Sequence, residues 1–234
     1  MANKKQLVSR AAWLKSRKKL LVKEKKFQKL QDAMSAARRN LPWVKVTKAY
    51  LFEGPNGNVP LSELFAGCSQ LIVYHFMFTA KQAAGCPHCS LRADGFNGIN
   101  VHLKHRDVSM VAISRAPYQQ LAAYKTRMGW KFPWYSSGDT DFNFDFNVSF
   151  TPEAMAAGTT FFNYSKQSPG APEREGHSVF VKDKRGNILH TYSCYTRGNE
   201  PLNIHYHYLD MVPKGRDENG RGPFWVRRHD EYAG

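Results

Sequence analysis

Residues 85–90 read GCPHCS, placing Cys86 and Cys89 two residues apart with Pro87 and His88 between them. This spacing serves three chemistries. The first is redox exchange. A cysteine at a helix N-terminus faces unpaired backbone N–H groups and the positive end of the helix dipole. Both favour the thiolate, which is the nucleophilic form. A protonated His88 would favour it further, and Cys89, one turn along, is placed to close a disulfide. The second is zinc binding. Twelve residues separate the pair from His102-x2-His105, a spacing close to that of a zinc finger but with the second gap one residue short. The third is an inert buried pair, although Gly85, Pro87, His88 and Ser90 are not core-like neighbours.

The surroundings favour redox exchange. QLIVYHFMF (70–78) is nearly continuous apolar sequence and predicts a central strand covered on both faces. The loop TAKQAAG delivers the chain to Cys86, and SLRADGFNGINVHLKH predicts a helix, irregular near Gly95 and Gly98. A CxxC pair beside a βαβ pattern in a chain with few cysteines is the signature of a working thiol pair. Four cysteines in 234 residues do not make a disulfide scaffold. The expected site residues are therefore Cys86, Cys89 and His88, with no cofactor and no metal.

Other chemistry-bearing residues are better explained by packing. Cys68 and Cys194 have no partner motif, and Cys194 reads as a small buried residue in a strand. His75 interrupts a buried strand and is expected to be a hydrogen-bonded core histidine. His205 and His207 alternate in NIHYHYLD, would share one face of a strand, and lack an evident third ligand. Phe142, Phe144 and Phe146 read as core or pocket wall.

The elements around the pair follow from hydrophobic periodicity. Residues 9–37 predict one helix with Ser9 as N-cap. Trp13, Leu20, Phe27 and Met34 recur every seven residues, with Leu30 and Ala37 three after the last two. This stripe is expected to bury against the body or a second copy of the chain, the latter giving a homodimer. Pro42 ends the helix. VKVTKAYLFEG predicts a strand, PNGN a turn, and VPLSELFAG a short helical turn opened by Ser62. VSMVAIS predicts a buried strand, PYQQLAAYKTRMG a helix, and SKQSPGAPEREG a loop. HSVFVKD and ILHTYSCY predict a hairpin about the turn KRGN. Alternating strands and helices define an α/β fold with a partly parallel sheet and an antiparallel edge.

The net charge of +15 is concentrated at one end: residues 1–39 carry +11 and the remaining 195 carry +4. The near-neutral body and packing stripe make nucleic acid an unexpected partner, although local charge of this kind drives nonspecific association. No apolar run reaches the ~18 residues of a membrane span, and no apolar core follows the basic start, so a cytoplasmic location is expected.

Several strings extend the comparison over nearly the whole chain: LPWVKV, QLIVYHFMF, GCPHCS, SRAP, RMGWKFPW, DFNFDFNVSFTPE, HTYSCYTRG, YLDMVPKGRDE and RRHDEY. From about Trp13 to Tyr232 the sequence resembles a bacterial family, domain of unknown function 899, whose members are thioredoxin-like predicted dithiol–disulfide oxidoreductases. The resemblance implies a thioredoxin-like fold in a peroxiredoxin-type arrangement, with an N-terminal helical extension. The helix stop at NLPW and the irregular tail from Pro213 set the expected boundaries: 1–40 for the basic helix, 41–212 for the thioredoxin-like domain and 213–234 for the C-terminal tail. Pro-His between the cysteines is also the dipeptide of oxidising thioredoxin-fold proteins such as DsbA.

Two departures stand out. Peroxiredoxins carry Thr or Ser three residues before the attacking cysteine and Pro seven before; here Ala83 and Thr79 stand there. Thioredoxins place a cis-proline before the strand facing the pair; here that place falls at His177-Ser178, making His177 a candidate contact for the thiolate. The implied mechanism is exchange with a protein or small-molecule disulfide, by attack of Cys86 and resolution by Cys89. The alternatives are a thiol peroxidase using Cys86 and a non-enzymatic module whose pair is structural or holds zinc.

Overall fold

The computed structural model describes residues 6–138 and 140–233, and these fall into two compact units dividing between Pro42 and Trp43. Residues 1–5, the start of the expected basic segment, lie outside the described residues, as do Asp139 and Gly234.

The first unit is helix α1 (Arg10–Arg39). Ser9 caps it, its hydroxyl accepting the Ala12 N–H at 3.2 Å. Arg38 and Arg39 occupy the last turn, where cations complement the helix dipole.

The second unit takes in the rest of the chain. Its strands and helices run β1 (Val44–Lys45), β2 (Leu51–Gly54), β3 (Gly57–Pro60), β4 (Gln70–His75), α2 (Pro87–Ala93), α3 (Ile99–Lys104), β5 (Val108–Ser114), α4 (Tyr118–Arg127), β6 (Trp134–Ser136), α5 (Phe142–Asp145), α6 (Pro152–Ala156), β7 (Thr160–Phe162), β8 (Ser165–Gln167), β9 (Gly176–Lys182), β10 (Ile188–Tyr195) and α7 (Ile204–Leu209). One eight-stranded sheet has the order β1-β10-β9-β4-β5-β6-β2-β3, and β7 and β8 form a separate pair. Strands β4 and β5 are parallel, β9 is antiparallel to β4, and β10 is antiparallel to β9. That four-strand centre, with a helical crossover between its parallel strands, is the thioredoxin-like fold. Strand β6 and the β2–β3 hairpin lengthen the sheet on one side.

Alternation along β4 and β5 builds a core on each face of the sheet. Leu71, Val73, Val111 and Ile113 pack with Phe52, Phe65, Phe142 and Phe180. On the opposite face, Tyr74 and Ala112 pack with Phe76, Phe78, Phe96, Trp130 and Trp134, and Cys89 belongs to this cluster.

Three sequence expectations are corrected. VKVTKAYLFEG is two strands, β1 and β2, because the chain crosses from one side of the sheet to the other: β1 is the edge strand beside β10, whereas β2 lies between β6 and β3. Lys48, in the crossing, binds Asp141 at 2.5 Å and Asp145 at 2.8 Å. VPLSELFAG is not opened by Ser62: Val59 and Pro60 pair in β3, and a run of i to i+3 turns follows, beginning with Glu63 N–H to Pro60 O at 3.0 Å. His205 and His207 lie on α7, a helix, where alternate residues point about 200° apart rather than to one face.

His75 is the hydrogen-bonded core histidine expected, its Nε2 lying 2.8 Å from Ser178 Oγ. Burial lowers its pKa to about 3 and that of His177 to about 4. Both rings are neutral in the fold, while in the unfolded chain they protonate near pH ~6.5. The unfolded state therefore binds more protons below that value, and stability falls as pH drops from about 6.5 toward about 3 to 4. Denaturant unfolding is expected to show a loss of about 2 kcal/mol per imidazole between about pH 7 and pH 5. Equal or greater stability at the lower pH would refute this assignment.

Candidate active site

Cys86 occupies the N-cap position of α2, and Pro87 fills the first helical turn, where the missing N–H costs nothing. The loop before it is tied down on several sides. Cys86 N–H donates to Met77 O at 3.3 Å, and Ser90 Oγ returns to Cys86 O at 2.9 Å while meeting Tyr124 Oη at 2.9 Å. Gly85 admits no side chain: a Cβ there would lie 2.7 Å from the Phe76 ring and 2.8 Å from Tyr124. The core thus packs directly on the backbone that aims Cys86.

The two thiols occupy different environments. Cys86 is half-buried and Cys89 fully buried, and neither is in a disulfide. The Cys86 pKa is lowered to about 5, first by the Cys89 thiol donating to it, against opposing burial, then by His88 and by the backbone amides of Cys89 and His88. The helix N-terminus therefore contributes, but the neighbouring thiol contributes more. His88 is raised in turn, chiefly by its hydrogen bond to Cys86, and its Nε2 lies 3.3 Å from Pro223 O. Cys89 is pushed well above its ordinary value, first by burial and then by the Cys86 sulfur. The sequence-expected trio Cys86, His88 and Cys89 is thus brought together.

The surroundings include residues that sequence reasoning missed. Glu175, immediately before β9, places Oε2 3.7 Å from Cys89 Sγ and 3.2 Å from Tyr74 Oη. Arg92, from α2, forms an ion pair with Glu175. The position facing the pair is therefore held by Glu175 rather than His177, whose Nδ1 lies 2.9 Å from Asn199 Oδ1 and whose ring stacks on Tyr74 at 4.7 Å. The described peptide bonds include no cis bond.

The C-terminal segment also reaches the site. Arg228 Nε donates to Gly85 O at 2.9 Å, and His229 Nδ1 lies 2.7 Å from Asp94 Oδ1. A concavity of about 500 Å³ lies beside it, lined in part by Leu91, Tyr208, Leu209, Val212, Trp225 and Tyr232; neither cysteine lines it.

The remaining sequence candidates lie elsewhere. His102 and His105 are exposed at α3, and the described residues contain no group of three His, Cys, Asp or Glu arranged to hold a metal. Cys68 and Cys194 are buried, the latter with Sγ 3.2 Å from Asn199 Oδ1. No described helix is long and apolar enough to cross a membrane.

The four-strand centre, with a tied loop leading from its parallel strand to the helix that Cys86 opens, is a thioredoxin-like fold. The chain belongs to the family described as bacterial protein of unknown function (DUF899), whose model matches residues 2–232. No curated protein matches it. Among solved structures it is similar to peroxiredoxin Q of Xanthomonas campestris, with 12% identity, 73% of this chain and 99% of that one covered, and a TM-score of 0.46. It is also similar to the mitochondrial 2-Cys peroxiredoxin of Plasmodium falciparum, with 16% identity, 76% and 96% coverage, and a TM-score of 0.41. For peroxidoxin BcpB of Mycobacterium tuberculosis the values are 15% identity, 69% and 95% coverage, and a TM-score of 0.39.

Proposed function

We propose that this protein is a cytosolic thiol–disulfide oxidoreductase acting through Cys86 and Cys89. One observation carries this reading: a half-buried cysteine, its thiolate favoured to about pH 5, receives a hydrogen bond from a buried second thiol one helical turn away. The Cys86 thiolate attacks a protein or small-molecule disulfide, forming one S–S bond and expelling a substrate thiolate. Cys89 then attacks Cys86 Sγ, the mixed disulfide breaks, and the second substrate thiolate leaves. Two electrons pass from the dithiol to the substrate. The step is reversible, and stabilising the Cys86 thiolate favours the dithiol form, so the oxidised pair gains oxidising strength. His88 supports that thiolate.

Equilibration in glutathione buffers of graded potential, with free thiols counted after quenching, tests this reading. The wild type is expected to lose two of its four thiols together, leaving Cys68 and Cys194. Cys86→Ser and Cys89→Ser should each lose the intramolecular disulfide. Four thiols persisting under oxidising buffer, or stoichiometric zinc that disappears in Cys86→Ser, would defeat it. Peroxide consumption dependent on Cys86 without disulfide exchange would reassign the chain as a thiol peroxidase.

A further inference from the structure

The Cys89 thiol has one proton and two acceptors. It donates to the Cys86 sulfur, and Glu175 Oε2 lies 3.7 Å away. Before exchange the thiol serves the Cys86 thiolate, whose charge that hydrogen bond does most to stabilise. Once Cys86 is bonded to a substrate sulfur that charge is gone. The proton must then leave before Cys89 can attack, and Cys89 is 0% exposed, so water cannot take it directly.

Of the groups facing this thiol, one suits the task. Tyr74, from β4, has its hydroxyl 3.5 Å from Cys89 O and is itself held protonated by burial. Arg92, from α2, is a cation. His177, from β9, is bonded to Asn199, and His88 faces Cys86. Glu175 touches the sulfur, and its side chain is 21% exposed, against 7% for Arg92, so it spans the interval between the buried thiol and solvent. Arg92 fixes the carboxylate through their ion pair. A buried ion pair built for stability alone has no need to face a thiol, and such pairs recover little of their desolvation cost.

We propose that Glu175 is the proton acceptor of the resolving step, taking the Cys89 proton once the mixed disulfide has formed and passing it to solvent. This rests on the exchange reading above. The S–H bond of Cys89 breaks toward Glu175 Oε2, the Cys89–Cys86 bond forms, and the Cys86–substrate bond breaks with its electron pair on the departing sulfur. Glu175 becomes a carboxylic acid and is deprotonated by water, and Arg92 is a positioning residue for it.

Rapid mixing of the reduced protein with the aromatic disulfide dithiobis(nitrobenzoate) separates the two steps. Attack by Cys86 releases one nitrothiobenzoate, and resolution by Cys89 releases the second. Glu175→Gln should lower the ratio of the second rate to the first by about 100-fold or more, the usual range for removal of a general base. Because Gln leaves Arg92 buried without its charge partner, the doubly substituted Glu175→Gln, Arg92→Gln chain, which buries no lone cation, should show the same fall. In the wild type the second rate should level off with rising pH; in both variants it should keep climbing toward hydroxide. A ratio that falls by less than about tenfold in either folded variant overturns the proposal. Absence of the first release from the wild type would instead overturn the exchange reading, so the two failures are distinguishable.

Discussion

Replacing Cys86 with serine is expected to lower disulfide exchange by more than about a thousandfold, the scale on which nucleophile removal acts. A serine hydroxyl in the same place is not ionised near neutral pH, and neither His88 nor the α2 amides can make it so. The fold should survive, because Cys86 caps α2 and serine is a favoured N-cap residue, whereas the cysteine makes no side-chain cap bond. Exchange rates measured beside thermal unfolding separate the two effects. A Cys86→Ser protein exchanging within tenfold of the wild type would remove the nucleophile from this account.

The largest effect on stability is expected at Phe142. Its side chain is fully buried and packs edge-on against Tyr50 at 5.0 Å and Phe52 at 4.8 Å, with Phe146 at 4.8 Å. It also faces the His75 ring at 5.6 Å. Residues from β2, β4 and α5 thus converge on one ring far along the chain from most of its neighbours. Phe142→Ala should cost about 3–5 kcal/mol, combining lost transfer energy with a cavity the surrounding rings cannot close. Denaturant unfolding would measure it; a cost under about 1 kcal/mol would mean that the sheet face tolerates the void. His75 then loses part of its apolar cover, so the same variant should also soften the acid-side loss of stability.

What was legible in the sequence was whatever short-range pattern encodes. QLIVYH is apolar at successive positions, so both faces had to be covered, and β4 lies at the middle of the sheet. Ser9 and the PNGN turn announced themselves through capping and turn chemistry. Pro87 beside Cys86 marked a helix start because proline suits the first turn. The misread segments have equally physical causes. The strand-like residues of VKVTKAYLFEG are distributed to opposite sides of one sheet, and nothing local states that the chain changes side at Thr47-Lys48. In NIHYHYLD the aromatic and histidine alternation mimics a strand, but the segment forms the single short helix α7.

The site was half legible for the same reason. Cys86, His88 and Cys89 are neighbours in sequence, and helix geometry brings them together. Glu175 lies 86 residues from the thiol it touches, and Arg228 lies 143 residues from the Gly85 carbonyl it holds. Such contacts are made by the sheet order and by the docking of the C-terminal segment. The one available signal for Glu175 is a charged residue close to the predicted strand HSVFV, and the strand itself begins at Gly176, one residue before the predicted His177.

The thiolate absorbance of the reduced protein, titrated with pH and corrected with Cys86→Ser as blank, bears most directly on the chemistry assigned to Cys86. The account requires an inflection near pH 5, the value set by the Cys89 thiol, His88 and the two amides. An inflection at or above the free-cysteine value of about 8.5 would contradict it.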